Sequence, residues 1–281
     1  MGTLVVKAYP TTLFGNAADH TYVECSTGAV GWSCWGGKTG GTAVRQAGGS
    51  TVRANDIAEP NERAGITCYL INGVCHQAAN RILLPAGITV NGVRGYQLSN
   101  ALYGTYGRAS VWPCRAPFNQ HPTTTGDLPA CVAPLTIVSA PTRTDLDEAD
   151  ARYLVDVLTI YDEFDRVFVA PDAREERENF HLQLFANMVD FYLGSGLGDR
   201  RQELIEVRRD TERRQQIFEE HVRSDGSLRP DRIREVNELT LDFQANLAQV
   251  TTDDEYEQLL QLPKDERIVL ADPEVTGHSD G

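Results

Sequence analysis

Several things are missing from this 281-residue chain, and each absence excludes a class of function. No run of about 18 or more apolar residues occurs, so a transmembrane helix is not expected. Basic residues are the minority: 26 Lys and Arg stand against 40 Asp and Glu, a formal charge of -14. Such a chain is poorly suited to nucleic-acid backbones, where basic charge supplies most of the affinity, and anionic membrane surfaces repel it. The opening "MGTLVVKAYP" has no basic region followed by a long apolar stretch, so it does not read as a secretory signal. Val6 occupies the place where a myristoylation signal wants Ser or Thr. The expected location is therefore the cytoplasm. The six cysteines (Cys25, Cys34, Cys68, Cys75, Cys114 and Cys131) include no CxxC pair, which removes zinc-ribbon and thioredoxin readings. In a reducing compartment they are thiols. Cys114 and Cys131 flank a Pro-rich loop, and whether they pair is left open.

What is present divides near residue 140. Residues 1–140 hold every cysteine, all three tryptophans and most of the glycine. "TLVVKA", "HTYVEC", "AVGWSCW" and "ITCYLI" read as strands, and "ITVNGVRG" as a hairpin turning at Asn91-Gly92. Residues 141–263 are charged and helical in pattern, with four helices expected. Thr144 and Asp145 open the first, and Leu154, Val157, Leu158 and Tyr161 form its apolar face. The Gly194–Gly198 stretch stops the second. In the fourth, Ile233, Val236, Thr240, Phe243, Leu247 and Val250 recur at 3, 4, 3, 4, 3, a heptad seam. The third and fourth form a charged helical hairpin over 199–250. It either packs within the chain or protrudes to hold a partner or a second copy. Residues 264–281 form a tail whose one apolar run, in "DERIVLADPEV", can dock on the body. The fold class is α+β: an antiparallel sheet with a helix carrying Cys75, then a mainly α-helical C-terminal extension.

Three motif-like stretches fail on spacing. In "GWSCWGGKTGG", Gly31 precedes Gly37-Lys38-Thr39 by one residue too many for a phosphate loop, and no helix pattern follows. "ENFH", Glu178 to His181, has the Glu-x-x-His spacing of a di-iron bundle, but Phe218 rather than Glu stands three residues before His221. Cys75 and His76 diverge by about 100° on a helix, so they are ill placed to chelate one ion. No metal and no cofactor are expected.

The remaining signal is "GITCYLINGVCHQAANRIL", read as strand, tight turn and helix. Gly73 permits the turn, and Val74, Ala78 and Ile82 make the apolar stripe. Cys75 then lies in the first helical turn, where free amides and the helix dipole favour a thiolate of lowered pKa. Of the histidines, His20 opens the strand "HTYVEC" and is held rigidly. A two-residue turn at Thr27-Gly28 sets position 20 opposite Trp35, with Ser33, Tyr22 and Glu24 on the same face.

Histidine first on a strand and cysteine later at a helix start resembles the circularly permuted papain-like cysteine hydrolases of the NlpC/P60 superfamily, over residues 1–110. The resemblance implies a papain-like antiparallel sheet. It implies that Cys75 attacks a carbonyl and that His20 takes and returns the proton. Amides at the helix start would hold the oxyanion. Trp35 and Gln77 are the expected substrate contacts. The implied reaction is hydrolysis of an amide, peptide or isopeptide bond, or acyl transfer to an amine. No residue stands out as the third polar member that orients the histidine. The competing reading is a non-enzymatic interaction protein that binds its partner through the 199–250 hairpin.

Overall fold

The computed structural model describes residues 2–10, 17–25, 31–32, 38–64, 70–108, 148–167, 174–225 and 230–271. Three antiparallel strands form a sheet in the order β2-β1-β3: β1 is Gly2–Tyr9, β2 His20–Cys25 and β3 Thr42–Gly49. β1 alternates as its sequence requires. Leu4, Val6 and Ala8 are buried on one face, with a bulge at Val6/Lys7 on the β3 side. That face packs on α1 (Thr51–Ala64) and α2 (Cys75–Leu83), where Ala54, Ala58, Ala79, Ile82 and Leu83 complete a small core with Val23 and Trp32.

Neither β3 nor α1 was expected from the sequence. The glycine-rich stretch after Lys38 is the β3 strand, because pairing along β1 supplies the hydrogen bonds that propensity alone does not. Conversely, "ITVNGVRG" is not a hairpin. Asn91-Gly92 does turn, with Gly92 at φ 91°, but Val90 and Val93 are buried as a lead into α3 (Tyr96–Tyr103) rather than paired as strands. Gly95 precedes α3 at φ 83°, and a Cβ there would stand 2.5 Å from Cβ of Ala18. Within "ITCYLI" the described residues Leu70 and Ile71 belong to a turn.

The helical stretch follows the sequence closely: α4 is Glu148–Val167, α5 Arg174–Leu193, α6 Asp199–Asp225 and α7 Pro230–Val250. An additional short helix, α8 (Asp253–Leu260), is capped by Thr252, whose hydroxyl accepts from the Glu255 amide. Positive φ at Gly194 and Gly198 ends α5 and admits the turn into α6. The seam of α7 is buried against the rest of this chain, from Ile233 to Leu247.

The two compositional halves share the larger of two cores. One apolar cluster runs from Ala18, Ile71, Val74 and Cys75 through α3 to α4–α8 and Ile268. Arg108 makes a paired contact with Glu212 of α6, at 2.7 and 2.6 Å, and Arg208 donates to the carbonyls of Ala101 and Leu102 at 2.8 Å. Burial disfavours an ionised Glu212, but Arg108, His181 and Arg208 outweigh it and hold the carboxyl well below the ordinary range. The α6–α7 hairpin is thus bound into the body, because its buried charges find their partners there and not in solvent.

The tail docks as expected. Its run from Glu266 to Ala271 is strapped by Gln244, which bonds both main-chain groups of Ile268 at 3.1 and 2.8 Å. Asn237 does the same for Ala271 at 3.3 and 2.8 Å. Among the described residues, no helix is long and apolar enough to cross a membrane.

Candidate active site

Cys75 is the first residue of α2, as the turn chemistry required. Leu70 donates to the Gly73 carbonyl at 2.5 Å, and Gly73 takes φ 145°. A Cβ at Gly73 would stand 2.6 Å from Gln77, so a side chain has no room there. Val74 is extended, and its amide donates to Oε1 of Gln77 at 3.0 Å, which closes the helix start.

The sulfur lies against the outer edge of β2. Residues 19, 21 and 23 turn their main-chain polar groups away from β1: Asp19 donates to the Arg94 carbonyl at 3.1 Å, and Val23 exchanges bonds of 3.0 and 2.8 Å with Trp32. In this same row the Asp19 carbonyl oxygen stands 3.9 Å from Sγ of Cys75. The amide and hydroxyl of Thr21 also act on the sulfur, together with the amides of Cys75 and His76. These donors favour a thiolate. Burial is nevertheless the larger effect and pushes the Cys75 thiol up. The expected low-pKa thiolate is corrected on this point: the helix start supplies donors, but only 7 % of the residue reaches solvent.

His20 is buried at the start of β2, opposite Tyr9 of β1, with ring centroids 5.0 Å apart. Tyr22 and Glu24 share its face, joined by a 3.1 Å bond from the phenol, as the strand reading required. The Val23–Trp32 bridge has the register that a Thr27-Gly28 turn imposes. Trp35 lies outside the described residues. The next residue on the strand, Thr21, faces α2 instead. The segment carrying His20 therefore approaches Cys75 through its neighbours Asp19 and Thr21, while the His20 ring itself lies on the face of β2 turned away from α2. His20 is also within electrostatic reach of His76.

His76 is not a second candidate base. Burial lowers its pKa to about 4, so it is neutral near pH 7. Its Nε2 lies 3.0 Å from the Asp19 carbonyl, which only accepts, so the proton sits on Nε2. Nδ1 then lies 2.9 Å from the Ser99 hydroxyl, whose single proton it shares with the Tyr96 carbonyl at 2.8 Å. His76 thereby holds the strand entrance against α2. Gln77 is equally interior: its amide nitrogen donates to Ser99 at 3.1 Å while its oxygen caps Val74. Full burial and two bonded ends make it a support of the helix start, not the substrate contact the sequence suggested. Asn80 and Arg81 are buried too. Asn80 donates to the Thr105 carbonyl and accepts from the Val90 amide, and Arg81 donates to the Tyr106 carbonyl at 2.7 Å.

Thr21, Asp19, Ser99 and Arg94 were missed in the sequence. Strand parity alone marks Thr21, since a His20 on the face of β2 away from α2 forces its neighbour toward α2. Nothing local marks Ser99 or Arg94. Arg94 bonds the Ala17 carbonyl and pairs with Glu266, tying the tail to the approach of β2. The Glu-x-x-His stretch is resolved plainly: His181 lies 2.9 Å from Glu212, while Glu178 faces Arg209 and Arg213. Among the described residues, no group of His, Cys, Asp and Glu could hold a metal ion. No family model matches the chain, and no curated protein or solved structure matches it either.

Proposed function

We propose that the chain is a cysteine-dependent acyl hydrolase or acyltransferase acting on an amide, peptide or isopeptide bond, with Cys75 as nucleophile and His20 as base. The observation that carries this reading is the placement of the sulfur. It sits at the start of α2 beside the main-chain amides of Cys75 and His76, and the strand segment that bears His20 adds the Thr21 amide and the Asp19 carbonyl, which accepts from the thiol. Amides grouped there suit the oxygen of a tetrahedral intermediate better than they suit an inert core thiol.

Since burial favours the neutral thiol, the chemistry is general-base attack rather than a resting ion pair. The thiol proton passes to an imidazole nitrogen of His20, whose ring has to swing round the start of β2 to reach the sulfur, as the sulfur forms a C–S bond to the carbonyl carbon. The carbonyl π pair moves to oxygen, which the amides accept. Collapse breaks the C–N bond, and the leaving nitrogen takes the proton back from His20. Water or an amine then attacks the thioester, with His20 again removing its proton.

The test uses p-nitrophenyl acetate as acyl donor and peptide mass spectrometry as readout. Cys75 is expected to carry the acetyl group ahead of every other thiol, and His20→Ala to slow its acetylation about 100-fold. Acetyl spread over lysines, with no effect of His20→Ala, overturns the reading.

A further inference from the structure

We propose that α7 and the approach to β2 form a groove that binds an extended aliphatic peptide of a partner by its main chain, and that the chain's own run 266–271 fills this groove as a tethered, exchangeable occupant. The inference goes beyond the acyl-transfer reading and does not depend on it.

The groove reads main chain from two sides. On one side, Asn237 and Gln244 each give one side-chain amide to one residue of the run. Gln244 accepts from the Ile268 amide at 3.1 Å and donates to the Ile268 carbonyl at 2.8 Å. Asn237 accepts from the Ala271 amide at 3.3 Å and donates to the Ala271 carbonyl at 2.8 Å. A carboxamide carries a donor beside an acceptor, so it matches the N–H and C=O of any residue but proline. On the other side, the Ala18 amide donates to the Val269 carbonyl at 3.0 Å, and Ala17 bridges Val269 in parallel. The spacing is matched as well. Seven residues along α7 rise about 10 Å, and three residues of extended chain span about the same distance. The Gln244 amide is set in advance, since its nitrogen also donates to the Thr240 carbonyl one turn back at 3.0 Å. Side-chain preference comes from the buried positions Ile268, Leu270 and Ala271, so the partner needs two aliphatic residues at alternate positions and a small one next.

Exchange is favoured by how the run is joined. Gln261, at φ 54°, closes α8 ahead of the run, so the run can leave without unwinding a helix. Its ion pair at the rim, Glu266 with Arg94, is about one-third exposed on both sides and holds weakly. Contacts to main chain do not distinguish this run from another chain of the same shape. What favours it is tethering, which acts as a local concentration on the order of millimolar, and a free peptide has to compete with that.

The test uses the full chain and a fluorescein-labelled peptide KDERIVLADP, the sequence of residues 264–273, followed by fluorescence anisotropy. Wild type is expected to bind it weakly. Ile268→Asp, which expels the tethered run, is expected to bind it at least about tenfold more tightly. Leu270→Asp should give part of that gain, and adding Gln244→Leu to Ile268→Asp should abolish it. A peptide N-methylated at the residues matching Ile268 and Ala271 lacks the donors that Gln244 and Asn237 read, and it should fail to bind. The peptide with Val269→Thr should bind as before. No gain in a variant that keeps native tryptophan fluorescence, or equal binding of the N-methylated peptide, overturns the proposal. Wild type alone supplies a second measurement. Amide hydrogen exchange at Ile268 and Ala271 is expected to run at least about tenfold faster than at the buried Phe243 and to respond less to dilute urea. Exchange equal to that of Phe243 in rate and urea dependence would make the run a fixed part of the core and overturns the proposal whatever the variants do. A wild-type dimer in sedimentation that Gln244→Leu dissolves would make the occupant the run of a second copy, and likewise overturns it.

Discussion

The amide of Ala18 donates to the carbonyl of Val269 at 3.0 Å, which places the C-terminal run two residues from His20. Gln244 and Asn237 of α7 hold that run through both of its main-chain faces. The helical half is thus part of the frame that presents the histidine.

Gln244→Leu should therefore act in two places. It leaves both main-chain groups of Ile268 without partners in a buried setting, a loss of about 2–4 kcal/mol. The urea midpoint should fall, and acetylation of Cys75 by p-nitrophenyl acetate should slow. A variant as stable as wild type would remove the strap from the account.

The clasp across the halves makes a prediction about cooperativity. Removing Glu212 leaves Arg208 buried without its carboxylate and Arg108 with Glu219 alone, so Glu212→Leu should cost about 3–5 kcal/mol. Tryptophan fluorescence reports residues 1–140 alone, since Trp32, Trp35 and Trp112 all lie there. Its unfolding curve should coincide with that of far-ultraviolet dichroism, which follows the helices. Deleting 199–250 should abolish the native fluorescence. Two separate transitions would restore independent halves.

Buried histidines give an acid dependence of defined sign. Burial holds both His76 and His181 at about 4. As pH falls from about 6.5 the unfolded chain takes up protons that the folded chain refuses. Stability should therefore decline between about pH 6.5 and 4, by roughly 3 kcal/mol at most for each histidine. Urea titrations at steps across this range measure it. His76→Gln should remove about half of the slope if both sites contribute equally, and an unaltered slope would mean that His76 is accessible to protons.

At the alkaline end the sign reverses. The Cys75 thiol is raised in the folded state, so the unfolded chain ionises first as pH rises. The contribution is complete below the ordinary thiol range and lost as pH climbs through it. Cys75→Ser should flatten the alkaline decline in melting temperature. A decline identical to wild type would assign it to other groups, such as the buried tyrosines Tyr103, Tyr106 and Tyr161.

The sequence by itself determined the elements whose signals are local. The alternation of "TLVVKA", the glycines that stop α5 and the heptad seam of α7 each follow from side-chain period and backbone sterics within a few residues. So did Cys75 at the start of α2, because Gly73 and Gln77 enforce that turn without outside help. Only the tertiary structure decided the rest. It decided that β3 is a strand, because β1 provides its partner. It decided that Gln77, Asn80 and Arg81 lie in the interior, because their hydrogen-bond partners come from residues 90–106. And it decided the state of the Cys75 sulfur, because the dipole and amides that favour a thiolate are local, whereas the burial that outweighs them is assembled from β2, α3 and the helices beyond.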